Sequence, residues 1–159
     1  MFFFLQNSIF CQKSKNLLVN NDILGSYSVA PVYTVIDNEV ISESDIIYTT
    51  EGLIYIYIED FFNSLDINTV ISNGGKTING FINNEGNSFE INFENRSIKY
   101  NQQISHHNNR LIYHNGTLVI ESTLIKEVFG ISISLNFRLL SIMIDADQEL
   151  PIQKKLRLS

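Results

Sequence analysis

A strand that runs into a helix through a glutamate occurs twice in this chain, and that joint limits the possible folds more than any other feature. The first copy spans Ile54 to Ile67 and reads IYIYIEDFFNSLDI; the second, Leu118 to Ile131, reads LVIESTLIKEVFGI. Side chains alternate along a strand, so Ile54, Ile56 and Ile58 share one face while Tyr55 and Tyr57 share the other. The period then changes. Phe61, Phe62 and Leu65 fall at helical spacing, and Glu59 and Asp60 occupy a first turn, where carboxylates meet the positive end of the helix dipole. In the second copy the helix covers 122–129 with Leu124, Ile125, Val128 and Phe129 on one face, and Gly130 stands where a C-cap favours glycine. Phe129-Gly130-Ile131 answers Leu65-Asp66-Ile67.

Each joint continues into a hairpin. After the first come strand patterns at 67–72 and 77–82 about the turn Asn73-Gly74-Gly75. Asn84-Glu85-Gly86 turns again, Phe89, Ile91 and Phe93 alternate with polar residues, and Ile98 and Tyr100 mark a further short strand. Residues 101–109 read as a polar connector. After the second joint, 131–135 alternates, 136–138 turns and 139–144 closes the pattern. Ahead of both copies, β-branched and aromatic runs at 31–37 and 40–48 flank Asp37-Asn38. This order predicts an α+β domain over 23–149, with mostly antiparallel strands and two short helices. It consists of two related strand–helix–hairpin units, 50–100 and 110–148, which share one core because neither can bury its own.

Composition narrows the functional classes. The 159 residues are 44% apolar and 18% charged, with a net charge of −6. An acidic chain without clustered Lys/Arg cannot neutralise a phosphate backbone, so no nucleic-acid partner is expected. One cysteine, Cys11, allows neither an intrachain disulfide nor a Cys-based zinc site. Residues 1–22 divide into an apolar N-terminus, resembling a degraded export signal, and a polar linker. The apolar run is far shorter than the ~20 residues that span a bilayer, and no membrane span is expected elsewhere.

Tests for chemistry come back structural. Ser72-Asn73-Gly74-Gly75-Lys76-Thr77 ends like a phosphate-binding loop, but Val70 stands where that motif needs its first glycine and a strand pattern follows instead of a helix. His106, His107 and His114 cluster in sequence, yet adjacent histidines on an extended chain point apart and no nearby Cys, Asp or Glu completes a shell. Glu59 and Asp60 are explained by helix initiation, because Glu121 recurs at the second joint. Asp145, Asp147 and Glu149 read as a solvated acidic surface. No Gly-x-Ser-x-Gly elbow is present. Neither catalytic residues nor a cofactor or metal is expected.

Two resemblances follow from these residues. Tyr55, Ile56-Tyr57-Ile58 and the helix end Ser64-Leu65-Asp66-Ile67, repeated at Phe129-Gly130-Ile131, resemble the stalk-like repeat of the copper amine oxidase N-terminal-like domain. Tyr57 departs from the usual proline, and the copper chemistry belongs to another part of that enzyme. Residues 52–157, with the two-copy order and the closing phrase Leu150-Pro151-Ile152-Gln153-Lys154-Lys155-Leu156-Arg157, look like the N-terminal region of bacterial outer-membrane proteins of the fimbrial usher-like kind. That resemblance implies a periplasmic, non-catalytic module placed before a large β-barrel, with 150–159 as a basic tail leading to a downstream region.

The expected function is therefore a cell-envelope scaffold or protein-interaction module whose exposed strand edges take up a partner strand. The alternative is a cell-wall or carbohydrate-binding stalk, with Tyr55, Tyr57, Tyr100 and Tyr113 as the candidate binding face.

Overall fold

The computed structural model describes residues 24–114 and 116–159; the apolar N-terminus and linker expected over 1–22 lie outside them. The described strands are β1 (Tyr27–Ile36), β2 (Glu39–Thr49), β3 (Ile54–Tyr57), β4 (Thr69–Ser72), β5 (Thr77–Phe81), β6 (Ser88–Asn92), β7 (Ser97–Tyr100), β8 (Gln103–His106), β9 (Leu111–His114), β10 (Thr117–Glu121), β11 (Ile131–Asn136) and β12 (Ser141–Ala146). The helices are α1 (Ile58–Ser64), α2 (Ser122–Phe129) and α3 (Pro151–Leu158). Seven strands form one sheet in the order β11-β12-β1-β2-β3-β10-β9, and the other five form a meander, β4-β5-β6-β7-β8. All described pairings are antiparallel except β1 with β12. The fold is α+β, as expected, with a third helix.

Turn chemistry explains much of the register. Asp37 (φ 50°) and Asn38 (φ 65°) are both left-handed, which a two-residue hairpin loop requires and which Asp and Asn tolerate. Asn101 (φ 48°) and Gln102 (φ 68°) do the same between β7 and β8. The expected polar connector over 101–109 therefore contains a strand, β8. Its alternation went unseen because Gln103, Ser105 and His106 are polar and Ile104 is 61% exposed, so little of the strand faces a core. The same polarity hid β9, where only Leu111 and Ile112 are fully buried.

Both joints form in the same way. In the β3–β10 ladder Tyr57 stands opposite Val119 and Ile56 opposite Ile120, so equivalent positions of the two copies face each other. The helix ends also match. Asp66 (φ 60°) and Gly130 (φ 68°) are both left-handed, and their N–H groups donate to Asn63 and Lys126 carbonyls at 3.0 and 2.9 Å. The starts differ: α1 begins at Ile58 with Glu59 and Asp60 in its first turn, whereas Glu121 lies just before α2.

One core joins both sheets and all three helices. Ile46, Ile56, Leu118 and Ile120 from the larger sheet meet Ile78, Phe89, Ile91 and Ile98 from the smaller one, with Phe61, Phe62, Leu124, Ile125 and Phe129 from α1 and α2 among them. Residues 150–159, expected as a basic tail, are held against this core. Leu150 is fully buried, Ile152 and Leu156 pack on the cluster, and the Ile152 N–H donates to the Leu65 carbonyl at 3.1 Å. Pro151 at the first helical position and Gln153, whose side chain accepts from the Leu150 N–H at 2.9 Å, start α3. Lys154, Lys155 and Arg157 dominate the charge of the segment and made it read as a tail. The apolar residues at 150, 152 and 156 carry the helix.

Candidate functional site: a cleft between an edge strand and a helix

The four tyrosines singled out from the sequence do not form one surface. Tyr55 is 2% exposed and belongs to a second apolar cluster with Leu24, Ile47, Ile112 and Val119. Tyr57 is half-buried beside it, and desolvation, with the Asp45 carboxylate next in size, pushes its phenol up to about 12. Burial also raises Tyr55, with Glu121 adding to the rise. Tyr100 and Tyr113 pack instead against the main core. Tyr100 lies edge-on to Phe129 at 5.1 Å and accepts from the Gln148 amide at 3.2 Å. Tyr113 donates to the Gly74 carbonyl at 2.7 Å, with its ring 5.5 Å from Phe93. Strand alternation, which separates the Ile and Tyr faces of β3, sends the tyrosine side into a cluster of its own.

The other sequence motifs settle into the framework. Asn73-Gly74-Gly75 is a turn between β4 and β5 and no helix follows Thr77. Among the described residues no group of three His, Cys, Asp or Glu could hold a metal ion. No described helix is long and apolar enough to cross a membrane.

A cleft of about 270 Å³ lies between β8 and α2. Its floor is Ile98 and Tyr100 of β7. Gln103, Ile104, Ser105 and His107 form one wall, and Glu127 and Val128 of α2 form the other. β8 is the last strand of its sheet, and the hairpin fixes which of its backbone groups are free. Tyr100 pairs with Gln103 across the two-residue turn, Ile98 with Ser105, and the His107 N–H donates to the Arg96 carbonyl at 2.7 Å. Antiparallel pairs alternate between bonded and non-bonded. The N–H and C=O groups of Gln103 and Ser105 therefore point to β7, while those of Ile104 and His106 point outward.

Side-chain contacts stiffen the cleft. His107 Nε2 lies 2.8 Å from Ser105 Oγ. Burial, reinforced by the nearby Arg110 guanidinium, holds the imidazole below its ordinary value, so it is neutral at pH 7. Arg110 fastens the far wall: it donates to both oxygens of Glu127 at 2.8 and 2.9 Å, and to Thr123 Oγ1 at 2.7 Å. Its Nε also lies 3.3 Å from Glu121, and Thr123 donates to that same carboxylate. The hydrogen bonds from Arg110 hold Glu127 below the usual carboxylate range. Glu121 thus does more than begin a helix. It anchors the arginine that orients the cleft's acidic wall.

At another edge the backbone is already occupied, because Arg96 donates to the Leu111 carbonyl of β9 at 2.8 Å. Missing β8 meant missing the cleft. The usable signal was Asn101-Gln102 between Ile98-Lys99-Tyr100 and the alternating Gln103-Ile104-Ser105-His106. No family model, curated protein or solved structure matches the chain.

Proposed function

We propose that this domain is a non-catalytic protein-interaction module that captures an extended segment of a partner by adding it to β8. The observation that supports this reading is the juxtaposition of an open strand edge, at Ile104 and His106, with a cleft backed by α2. An incoming strand gains main-chain hydrogen bonds from the edge, and every second side chain enters the cleft. β8 carries no Lys, Glu, Asp or Pro, the residues that commonly blunt a sheet edge against further pairing. The likeness to usher-like N-terminal regions assigns the module to the bacterial cell envelope, as a scaffold ahead of an outer-membrane assembly protein. The carbohydrate-binding alternative draws less support, because Tyr55 is 2% exposed and cannot serve as a stacking platform.

The test uses the outward geometry. In Ile104→Pro the lost N–H is one that β7 does not use, so the sheet survives while the edge loses a donor. Peptides selected on the unaltered domain from a display library should protect the Ile104 and His106 amides from hydrogen exchange, and should lose at least tenfold in affinity for Ile104→Pro. Selected peptides that protect neither amide and bind the proline variant equally well overturn the reading. Fractionation that recovers the protein only from the cytoplasm counts against the envelope assignment.

A further inference from the structure

The charge of the cleft goes further than the edge alone and names the chemistry of the captured strand. Three charged groups meet at the α2 wall: Arg110, Glu121 and Glu127. One cation against two carboxylates leaves a net single negative charge, and His107 adds nothing while neutral. The two carboxylates are not equally available. The Glu121 side chain is 11% exposed, whereas that of Glu127 is 57% exposed and lines the cleft. Arg110, at 28%, grips Glu127 from behind. A carboxylate oriented by two hydrogen bonds still offers its remaining lone pairs to a second donor, and those of Glu127 look into the cleft. The rest of the wall contributes Ser105, Gln103 and Val128, none of which repels a cation.

On the premise that β8 is the capturing edge, we propose that the incoming strand carries a lysine or arginine on its cleft-facing side, seated against Glu127. The partner segment is therefore basic and extended, with small or β-branched side chains at the flanking positions. A second copy of this chain is a poor occupant, because each copy carries a net charge of −6 and would bring its own Glu127 towards the same cleft. The charge contact selects among strands that the edge would otherwise bind without preference, a role electrostatics fills more readily than raw affinity.

The experiment measures binding of the full chain to short Thr/Val-alternating peptides that differ only in one central, cleft-facing residue: Lys, Gln or Glu. Fluorescence anisotropy at low salt should rank Lys above Gln above Glu, with about a five- to tenfold step on each side, and added salt should compress the ranking. Glu127→Gln should erase the difference between the Lys and Gln peptides and leave the Gln peptide's affinity unchanged. Equal binding of all three peptides by the unaltered chain overturns the charge preference but leaves strand capture standing. A lysine preference that persists in Glu127→Gln also overturns it. Absence of binding by any of the three overturns both readings together.

Discussion

Gly75 and Gly116 touch where the β4–β5 turn of one sheet meets the β9–β10 turn of the other, so closely that a Cβ on Gly75 would lie 1.9 Å from the Gly116 carbonyl oxygen. Gly75 also has φ +87°, in the left-handed region. Two penalties therefore act on Gly75→Ala: backbone strain and a clash with main chain that cannot rotate away. We expect a loss of about 2–4 kcal/mol on urea denaturation. Gly116→Ala shares the left-handed backbone but meets nothing within 4 Å, so it should cost only about 1 kcal/mol. Equal losses in the two variants would show that the sheets do not meet through this contact.

The rings of Phe62, Phe89 and Phe129 pack as a triangle, with centroids 5.0, 5.5 and 5.5 Å apart. They come from α1, β6 and α2, so the cluster ties both helices to the smaller sheet. Phe62→Ala should lose about 3–5 kcal/mol, a large part of the 5–15 kcal/mol that holds an ordinary domain together. Phe62→Leu should keep the fold with a smaller loss. Chemical denaturation of the pair checks both.

Leu150 and Lys155 separate the two ways in which α3 is held. Leu150 is fully buried, and Leu150→Ala should cost about 2–5 kcal/mol. The Lys155–Asp66 ion pair spans 3.5 Å between side chains 67% and 50% exposed, where solvent screens the attraction. Lys155→Ala should therefore change stability by less than about 1 kcal/mol. The reverse order in denaturation midpoints would mean that α3 is held by charge.

Burial keeps the folded-state value of His107 below 6.5. The unfolded chain then binds the proton more readily, so the contribution of the neutral imidazole is fully present above pH 6.5. It is lost as pH falls through the folded-state value. The denaturation midpoint should hold steady near pH 7.5 and begin to drop below about 6.5. His107→Gln should flatten that first drop. Glu127, also lowered, contributes above 4.5 and loses its share only on further acidification, so a second decline should remain in the histidine variant.

Regular patterns were legible where a side chain both sets the local backbone and buries apolar area. The α2 helix showed through Leu124, Ile125 and Phe129 with Gly130 at its end, and the β1–β2 hairpin showed through Asp37-Asn38. The cleft was not legible, for physical reasons. An edge strand half in water needs no apolar alternation, so Gln103 to His106 reads as a connector. The Arg110 network also joins residues from three separate segments, and no spacing rule brings those together. The tyrosines of β3 misled in the opposite sense, because an alternation that defines two faces does not say that both are buried. Basic residues hid α3 by outweighing three apolar positions in a short segment.

The opposition of Tyr57 and Val119 has a historical consequence. When equivalent residues of two copies face each other across an antiparallel ladder, a local two-fold axis passes between them. The same contact between separate molecules would be an isologous dimer interface, in which one patch is its own complement. A single ancestral unit ending in such a strand would already have possessed the partner it needed. Gene duplication then had only to supply a tether, turning an association dependent on concentration into one built into the chain. After that fusion the copies were free to diverge. The first hairpin after its helix grew into a separate five-stranded sheet, and the second stayed with the shared one.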